Sequence, residues 1–505
     1  MTPDRPNILF LFTDQHRFDA IRAHGNSDIR TPVLDRLVQD GTTFTRCYTP
    51  SPVCVPARAA VASGCPPHIT GCADNAPMLR EYPSFIEHLR DSGYQTHGVG
   101  KMHFTPDHLK MWGFESRDIS EETKADGNDF HEFLHKNGYG HVLEPHGIRS
   151  EYYYIPQPSQ LPAHLHESHW VADRSIDFLK RRNAEKPFFL WSSFIKPHPP
   201  FESPFPWNKL YRCPDMPHPF VPENSEELLT FWNRVQNRYK YKDAGTDRFL
   251  LRTMRAAYYS CISFIDFNVG RILDALGPEA DNTLIVFSSD HGELLGDYGS
   301  FGKRCMLDQA ARVPFIVRWP GHVPAETACS TPISLLDLWP TFLQAAGSDE
   351  PPAYETSRSV VDLLRDPPDD RTAFSQYHEG SHGLYMITDG RFKYIHSAPD
   401  QKEWLFDLRE GEFESADLSS DTNYAQVLDK LRDRLIARLT RDGFTQAVDN
   451  GKWRRYPIAH PPADPDDGLL FQDPPSLDGA LDNLPPAYRS EKPTVPRDGP
   501  SVFRH

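Results

Sequence analysis

NILFLFTDQ, Asn7 to Gln15, is an unbroken apolar and aromatic run that stops on an acid and an amide. Without polar alternation it predicts a strand from Asn7 to Thr13 buried on both faces. Such strands belong to parallel sheets sandwiched between helices. TLIVFS, Thr283 to Ser288, repeats the pattern and runs on to Asp290-His291-Gly292. Thr96–Gly100, Phe188–Ile195 and Val313–Trp319 read as further strands. Between them lie helical patterns. Thr31 is placed to cap a helix with Pro32 at its first position, running to Asp40 and closed by Gly41. Further helices are predicted over Ser84–Asp91, Asp173–Arg182, Arg248–Leu276 and Leu335–Ala346. The alternation predicts an α/β fold with a large, mainly parallel central sheet flanked by helices.

The texture changes after about Asp370. Leu384 to His396 (LYMITDGRFKYIH) sets an Asp389-Gly390 turn between two strand-like runs, a strong hairpin signal. Trp404–Leu408 adds a strand and Tyr424–Arg441 a covering helix, so a smaller C-terminal antiparallel-sheet subdomain is expected. The chain therefore divides into a large domain over 1–370, a small α+β subdomain over 371–445, and an extended proline-rich tail over 446–505. That tail carries Trp453, Tyr456, Leu469, Leu470, Phe471 and Tyr488. Large apolar groups on proline-stiffened backbone suit docking on a groove. The tail is expected to lie across the large domain or a neighbouring subunit, in a homo-oligomer, either a dimer or a tetramer.

With 505 residues the chain can bury a large core, and its net charge of -16 repels polyanions. Nucleic acid is not an expected partner. No run of about 18 uninterrupted apolar residues is present, so no membrane span is expected. Eight cysteines over this length do not resemble a disulfide framework. Free thiols and a cytoplasmic location are expected, with Cys47, Cys261 and Cys329 as small buried hydrophobes.

In open parallel sheets, functional groups gather at the carboxyl ends of strands. Two such ends here carry Asp14-Gln15 and Asp290-His291. Carboxylates with an amide oxygen and an imidazole suit a divalent cation, although either acid alone would equally serve to cap a loop. Cys54 opens C-V-P-A-R, with Pro56 suited to a first helical turn. That puts Cys54 at a helix amino end, where backbone N–H groups and dipole favour anions. A match of this kind alone arises in roughly a few per cent of chains this long.

With these residues in view the chain resembles the type I sulfatases of the alkaline phosphatase superfamily. Their Cys-x-Pro-x-Arg signature, matched by Cys54, Pro56 and Arg58, directs oxidation of the cysteine to formylglycine, and Gly64 falls where the longer signature has its glycine. Gly100-Lys101-Met102-His103 matches the G-K-x-H segment, and Lys196-Pro197-His198 matches the segment carrying the second histidine. Asp290-His291-Gly292 followed by Gly302-Lys303 matches D-H-G…G-K. With L-F-D-L at Leu405–Leu408, five motifs occur in order between about Asn7 and Leu418. The resemblance implies an alkaline phosphatase-like fold, with the large domain as the catalytic one. It also implies a formylglycine-generating enzyme as a partner and one divalent metal as cofactor. Asp14-Gln15 and Asp290-His291, in place of the family's usual paired aspartates and Asp-Asn, look more like choline sulfatases and phosphonate monoester hydrolases. The imidazole shifts the expected metal from calcium toward manganese, with magnesium as a further alternative.

The resemblance also implies roles. Asp14, Gln15, Asp290 and His291, with the modified Cys54, would hold the metal. Lys101 and Lys303 would bind sulfate oxygens. His198 would protonate the leaving alcohol and His103 would take a proton during sulfate release. Arg58 would pair with the nucleophile or the metal carboxylates. The expected reaction is hydrolysis of small sulfate monoesters, aryl or alkyl. The alternatives are phosphonate monoester or phosphodiester hydrolysis at the same site, and anion binding without turnover if Cys54 is not converted. The insertion from Asp118 to Ser168, with Glu151-Tyr152-Tyr153-Tyr154, is a candidate for substrate contact.

Overall fold

The Asn7–Asp14 run is the strand around which the molecule is built. The computed structural model describes residues 5–122, 126–149, 153–240, 247–411, 413–461 and 485–488. The large sheet contains β1 (Asn7–Asp14), β2 (Thr42–Phe44), β3 (Gln95–Gly100), β4 (Ser116–Ile119), β5 (Phe188–Pro197), β6 (Thr283–Ser289), β7 (Phe315–Arg318) and β8 (Thr327–Cys329). Their order is β8-β2-β7-β6-β1-β5-β3-β4. The run from β6 through β1, β5 and β3 to β4 is parallel. Only β7 runs against its neighbours β6 and β2. It follows β6 through a long connection over 290–314 that contains no long crossover helix and brings the chain back antiparallel.

Every residue of β1 is buried, and alternate side chains feed two cores. Ile8, Phe10 and Phe12 pack with Phe189, Trp191 and Val286 under three helices, α2 (Cys54–Ser63), α3 (Phe85–Asp91) and α6 (Leu338–Ala345). Leu9 and Leu11 face the other way, against α1 (Pro32–Asp40), α4 (Glu167–Arg181) and α5 (Arg248–Leu276), with Leu34, Val171 and Ile265 among the contacts. At roughly 1.5–3 kcal/mol per fully buried large side chain, this two-sided burial is why the run carries no polar alternation.

Some local expectations shift. Thr31 stands before α1 but makes no capping bond. Its hydroxyl accepts from Arg22 N at 2.9 Å and donates to Asp35 at 3.0 Å. The helix expected from Asp173 begins at Glu167, because the His166 ring accepts the Ser168 N–H at 3.1 Å, a capping residue that propensity does not anticipate. The helix expected over Leu335–Ala346 is a 3-10 turn over Leu335–Asp337 that runs into α6, with Ser334 and Asp337 forming a reciprocal cap.

The second sheet is an antiparallel meander of β9 (Ala373–Tyr377), β10 (Leu384–Thr388), β11 (Phe392–Ser397) and β12 (Lys402–Asp407). α7 (Ala425–Arg441) covers one face through Leu428, Leu431 and Leu435. The Asp389-Gly390 turn is a four-residue loop rather than a two-residue one, since Thr388 pairs with Lys393. Asp389 accepts from Arg391 N and Phe392 N. The other face shares a core with the large sheet's surroundings, including Tyr48, Trp232, Tyr377 and Trp404. Beneath it, Lys393 reaches Asp308 and Glu414 in a buried ion-pair cluster.

The start of the tail lies on this small sheet. Trp453 stacks on His396 with ring centroids 4.0 Å apart and donates to the Tyr394 hydroxyl at 2.8 Å. Tyr488 is exposed, and Leu469, Leu470 and Phe471 fall outside the described residues. All eight cysteines are free thiols; Cys47 and Cys261 are buried and Cys329 is half-buried. Among the described residues no helix is long and apolar enough to cross a membrane.

Candidate active site

Four parallel strands end at the same place. β1 ends on Asp14 and Gln15, β6 is followed by Asp290 and His291, β3 by Lys101 and His103, and β5 by His198. The topology therefore gathers residues from Asp14 to Lys303 into one site, as expected at the carboxyl edge of an open sheet. Close approach here requires a glycine. Gly100 has φ +85°, and a Cβ there would stand 1.9 Å from the Ser193 carbonyl oxygen.

Cys54 comes from the opposite direction, as the first residue of α2, with its side chain aimed at the strand ends. The helix closes at Gly64, whose φ of +69° and packing against Trp339 leave no room for a side chain. Lys303 Nζ donates to Cys54 Sγ at 2.8 Å and reaches His291 Nε2 at 3.2 Å. Burial pushes the Cys54 thiol up, but Lys303 and Lys101, with His103 and His198, hold it well below the usual thiol range. The position is built to stabilise an anion.

Arg58 lies one helical turn further on, wholly buried. Its Nε donates to Asp290 Oδ2 at 2.8 Å, and its Nη1 donates to the Lys101 carbonyl at 2.6 Å and to Ser193 Oγ at 2.9 Å. Its Nη2 stands 3.6 Å from Asp14. Asp290 Oδ1 accepts from the backbone N–H groups of Gln15 at 3.0 Å and His291 at 2.9 Å. Burial and the neighbouring Asp14 push the Asp290 carboxyl up. Burial acts the same way on Asp14, but Lys101, His198 and Lys303 bring it below the usual range.

Ligand atoms of Asp14, Cys54, Asp290 and His291 all lie within 4.8 Å of one another. Asp14 Oδ1 and Gln15 Oε1 are buried and have no hydrogen-bond partner. Buried acceptors are rarely left so, and two beside this cluster fit a cation. Gln15 Nε2 donates to Glu293, which turns Oε1 toward the cluster. His291 Nδ1 lies 3.1 Å from the Gly292 carbonyl, leaving Nε2 as the lone-pair nitrogen facing the acids. The donor set fits one divalent ion, which Asp14, Gln15, Asp290 and His291 would hold.

The two remaining histidines face Cys54 from the far side. His198 Nδ1 donates to the Pro199 carbonyl at 2.7 Å, so Nε2 points into the site, 3.4 Å from the Tyr153 hydroxyl and 3.7 Å from Glu122. Burial and Lys303 push His198 down to about 4, against the pull of Glu122 and Asp14. His103 is held with φ +55°, its backbone N–H on Glu121 Oε1 at 2.9 Å. Gln15 and Arg304 also have positive φ, 69° and 66°. For residues with a Cβ each costs on the order of 1 kcal/mol, and such strain concentrates at functional sites.

All ten candidate site residues are brought together, and several others join them that no motif indicated. Glu122 pairs with Lys101 and with Arg149, the latter at 3.2 Å. Glu293 accepts from Gln15, from the Tyr154 hydroxyl and from Leu295 N. Its place directly after Asp290-His291-Gly292 was a usable signal; Glu122 had none. Of the aromatic run in the insertion, Tyr153 reaches His198 and Tyr154 joins the core, whereas Glu151 and Tyr152 lie outside the described residues.

Comparison with known proteins gives consistent matches. A family profile described as Sulfatase matches residues 6–348, and one described as N-sulphoglucosamine sulphohydrolase, C-terminal, matches 296–441. The chain is 29% identical over 491 residues to an arylsulfatase of Clostridium perfringens, covering 90% of this chain and 98% of that protein. It is 29% identical over 487 residues to a choline-sulfatase of Rhizobium meliloti, covering 91% of each. The crystal structure of a phosphonate monoester hydrolase of Agrobacterium radiobacter superposes with a TM-score of 0.75 at 26% identity, covering 87% of this chain and 96% of that one.

Proposed function

The chain belongs to the sulfatase family and is a sulfuric ester hydrolase, and from that premise we propose that it hydrolyses aryl or small alkyl sulfate monoesters with an oxidised Cys54 as nucleophile. The observation that carries this reading is the environment of Cys54. It stands at a helix amino end, 2.8 Å from Lys303 Nζ and beside a cation-type cluster, in surroundings that favour a negative charge.

In this reading a formylglycine-generating enzyme, with a two-electron oxidant, converts Cys54 to the aldehyde with loss of sulfide, and the aldehyde hydrates to a geminal diol. A divalent cation held by Asp14, Gln15, Asp290 and His291, calcium or manganese with magnesium as a further choice, would acidify the nucleophile and draw charge from the sulfuryl oxygens. Asp290, pushed up by burial, accepts the proton of the attacking hydroxyl. Lys101 and Lys303 hold sulfuryl oxygens as charge shifts onto them. His198 gives a proton from Nε2 to the leaving alcohol. Its low proton affinity in the substrate-free site rises when an anionic ester enters, since a nearby negative charge favours the imidazolium. His103 then takes the proton of the second hydroxyl, carbon–oxygen cleavage releases sulfate, and the aldehyde returns. Arg58 orients Asp290 and Asp14.

The resemblance to a phosphonate monoester hydrolase favours a second reading, hydrolysis of phosphonate monoesters or phosphodiesters by the same groups. A third, anion binding without turnover, would apply to unconverted Cys54. A panel of nitrophenyl sulfate, choline sulfate, sugar sulfates and phosphonate esters, run beside intact-mass measurement of Cys54 conversion, tests all three. Converted protein that turns over none of the sulfates sinks the leading reading. The stacking of Trp453 on the chain's own small sheet supports a tail docked there rather than on the large domain; a homo-oligomer, dimer or tetramer, is proposed apart from that contact. Light scattering of the full chain showing only monomer overturns that part.

A further inference from the structure

Glu122 is an acid beside Cys54 that belongs neither to the cation cluster nor to any motif. It follows β4 in the Asp118–Ser168 insertion. Its carboxylate pairs with Lys101 Nζ, accepts from Arg149 Nη1 at 3.2 Å, and stands 3.7 Å from His198 Nε2. Ligand atoms of Cys54, His103 and Glu122 all lie within 4.8 Å of one another. The carboxylate thus adjoins the space where an ester bound by Lys101, His198 and the nucleophile must sit. Arg149, itself stacked over the Tyr153 ring at 5.2 Å, holds it there from behind.

We propose that Glu122 is a charge selector, admitting esters that carry one negative charge on the transferred group and discriminating against those that carry two. Sulfate monoesters, phosphonate monoesters and phosphodiesters are monoanions; phosphate monoesters are dianions above a second pKa of about 6. Attraction to Lys101 and Lys303 alone would favour the dianion. A fixed carboxylate whose oxygen lies within 4.8 Å of Cys54 Sγ opposes the second charge. At an effective dielectric constant of about 20, and with Arg149 offsetting part of the field, this is worth roughly 10- to 100-fold in relative rate. The same charge is tolerated by tetrahedral monoanions of sulfur or phosphorus alike. The proposal rests on the reading of Cys54 as the nucleophile and deepens it by naming the substrate charge.

The test uses full-length, metal-loaded protein with Cys54 converted. Wild type and Glu122→Gln are compared by kcat/KM on nitrophenyl sulfate and nitrophenyl phosphate at pH 8, whose leaving group is the same. The expected result is a 10- to 100-fold fall in the sulfate-to-phosphate ratio for Glu122→Gln, whatever the absolute rates. An unchanged ratio overturns the proposal. So does an equal gain on both esters, which would mean that the carboxylate merely fills the empty anion site. An equal loss on both overturns it as well, and would mark a partner of His198 alone. If the variant does not fold, the wild-type ratio measured at pH 8 and pH 5 serves instead. It should shrink at pH 5 as the phosphate ester becomes a monoanion, and a constant ratio sinks the idea. Wild type inactive on every sulfate ester would instead refute the underlying sulfatase chemistry.

Discussion

Arg58 Nε donates to Asp290 Oδ2 at 2.8 Å, with both side chains sealed from solvent. The same guanidinium reaches the Lys101 carbonyl and Ser193 Oγ, so it ties α2 to the ends of β6, β3 and β5. It is the pin that sets Cys54 against the metal-type acids. Desolvation opposes its charge, but Asp290, Asp14 and Cys54 together hold the guanidinium above its ordinary range.

Removing that pin leaves Asp290 buried beside Asp14 without its direct ion-pair partner. Arg58→Ala is expected to cost about 3–5 kcal/mol of stability, the usual penalty for breaking a buried pair from one side. Its stability should also depend more steeply on added divalent ion, because the two acids then repel unless a cation lies between them. Thermal melts with and without added metal check this. A variant as stable as wild type would show that Arg58 matters only to the modifying enzyme.

Cys54→Ala should abolish turnover and leave melting and metal binding close to wild type, since a small side chain at a helix amino end disturbs little packing. Cys54→Ser is expected to be slow or limited to one turnover, because a single hydroxyl cannot expel sulfate by carbon–oxygen cleavage. Burst kinetics with nitrophenyl sulfate separate the two. Full activity in the alanine variant would remove the mechanism.

His198→Ala should affect esters with poor leaving groups far more than nitrophenyl sulfate. General acid assistance is worth ~100-fold or more when the departing oxygen is basic, and little when it is not. The check is the slope of rate against leaving-group pKa for a series of aryl and alkyl sulfates. A uniform loss along the series would reassign His198 to binding.

His396 lies under Trp453, and burial pushes it down to about 4. A histidine whose folded pKa falls below its ordinary value near 6.5 lends stability that is complete above about pH 6.5. That stability is lost as pH falls toward 4, in all about 3 kcal/mol for a shift of this size. The melting temperature should therefore drop between pH 6.5 and 4, and His396→Gln should flatten that drop. Equal slopes in both proteins would mean that His396 titrates normally. Because Trp453 opens the tail, the same experiment reports whether the tail stays docked.

Much of the architecture was legible because burial writes itself into composition. β1 and β6 are covered on both faces, so they carry no polar alternation, and α5 shows its amphipathic stripe over twenty-nine residues. The antiparallel return of β7 was not legible, because strand direction depends on the path of the connection and leaves no mark in the strand itself. The start of α4 was missed for a related reason, since an imidazole cap is not a residue type that propensity favours.

At the site, the residues proposed for covalent or ionic chemistry were evident from short motifs. Cys54 with Pro56 and Arg58, Lys101 with His103, and Asp290 with His291 each combine within a few positions, because a strand end or a helix start delivers neighbours together. By itself the sequence determined the fold class and the candidate nucleophile, histidines, lysines and metal-type ligands. Only the tertiary structure decided how they meet. It brought Lys303 to Cys54 across 249 positions and Arg58 to Asp290 across 232. It also placed Glu122, from an insertion without any motif, between Lys101, Arg149 and His198. The physical reason is range. Side-chain patterning records each residue's own burial and its near neighbours in the chain, whereas electrostatic contacts between distant segments exist only once the sheet has aligned its carboxyl ends.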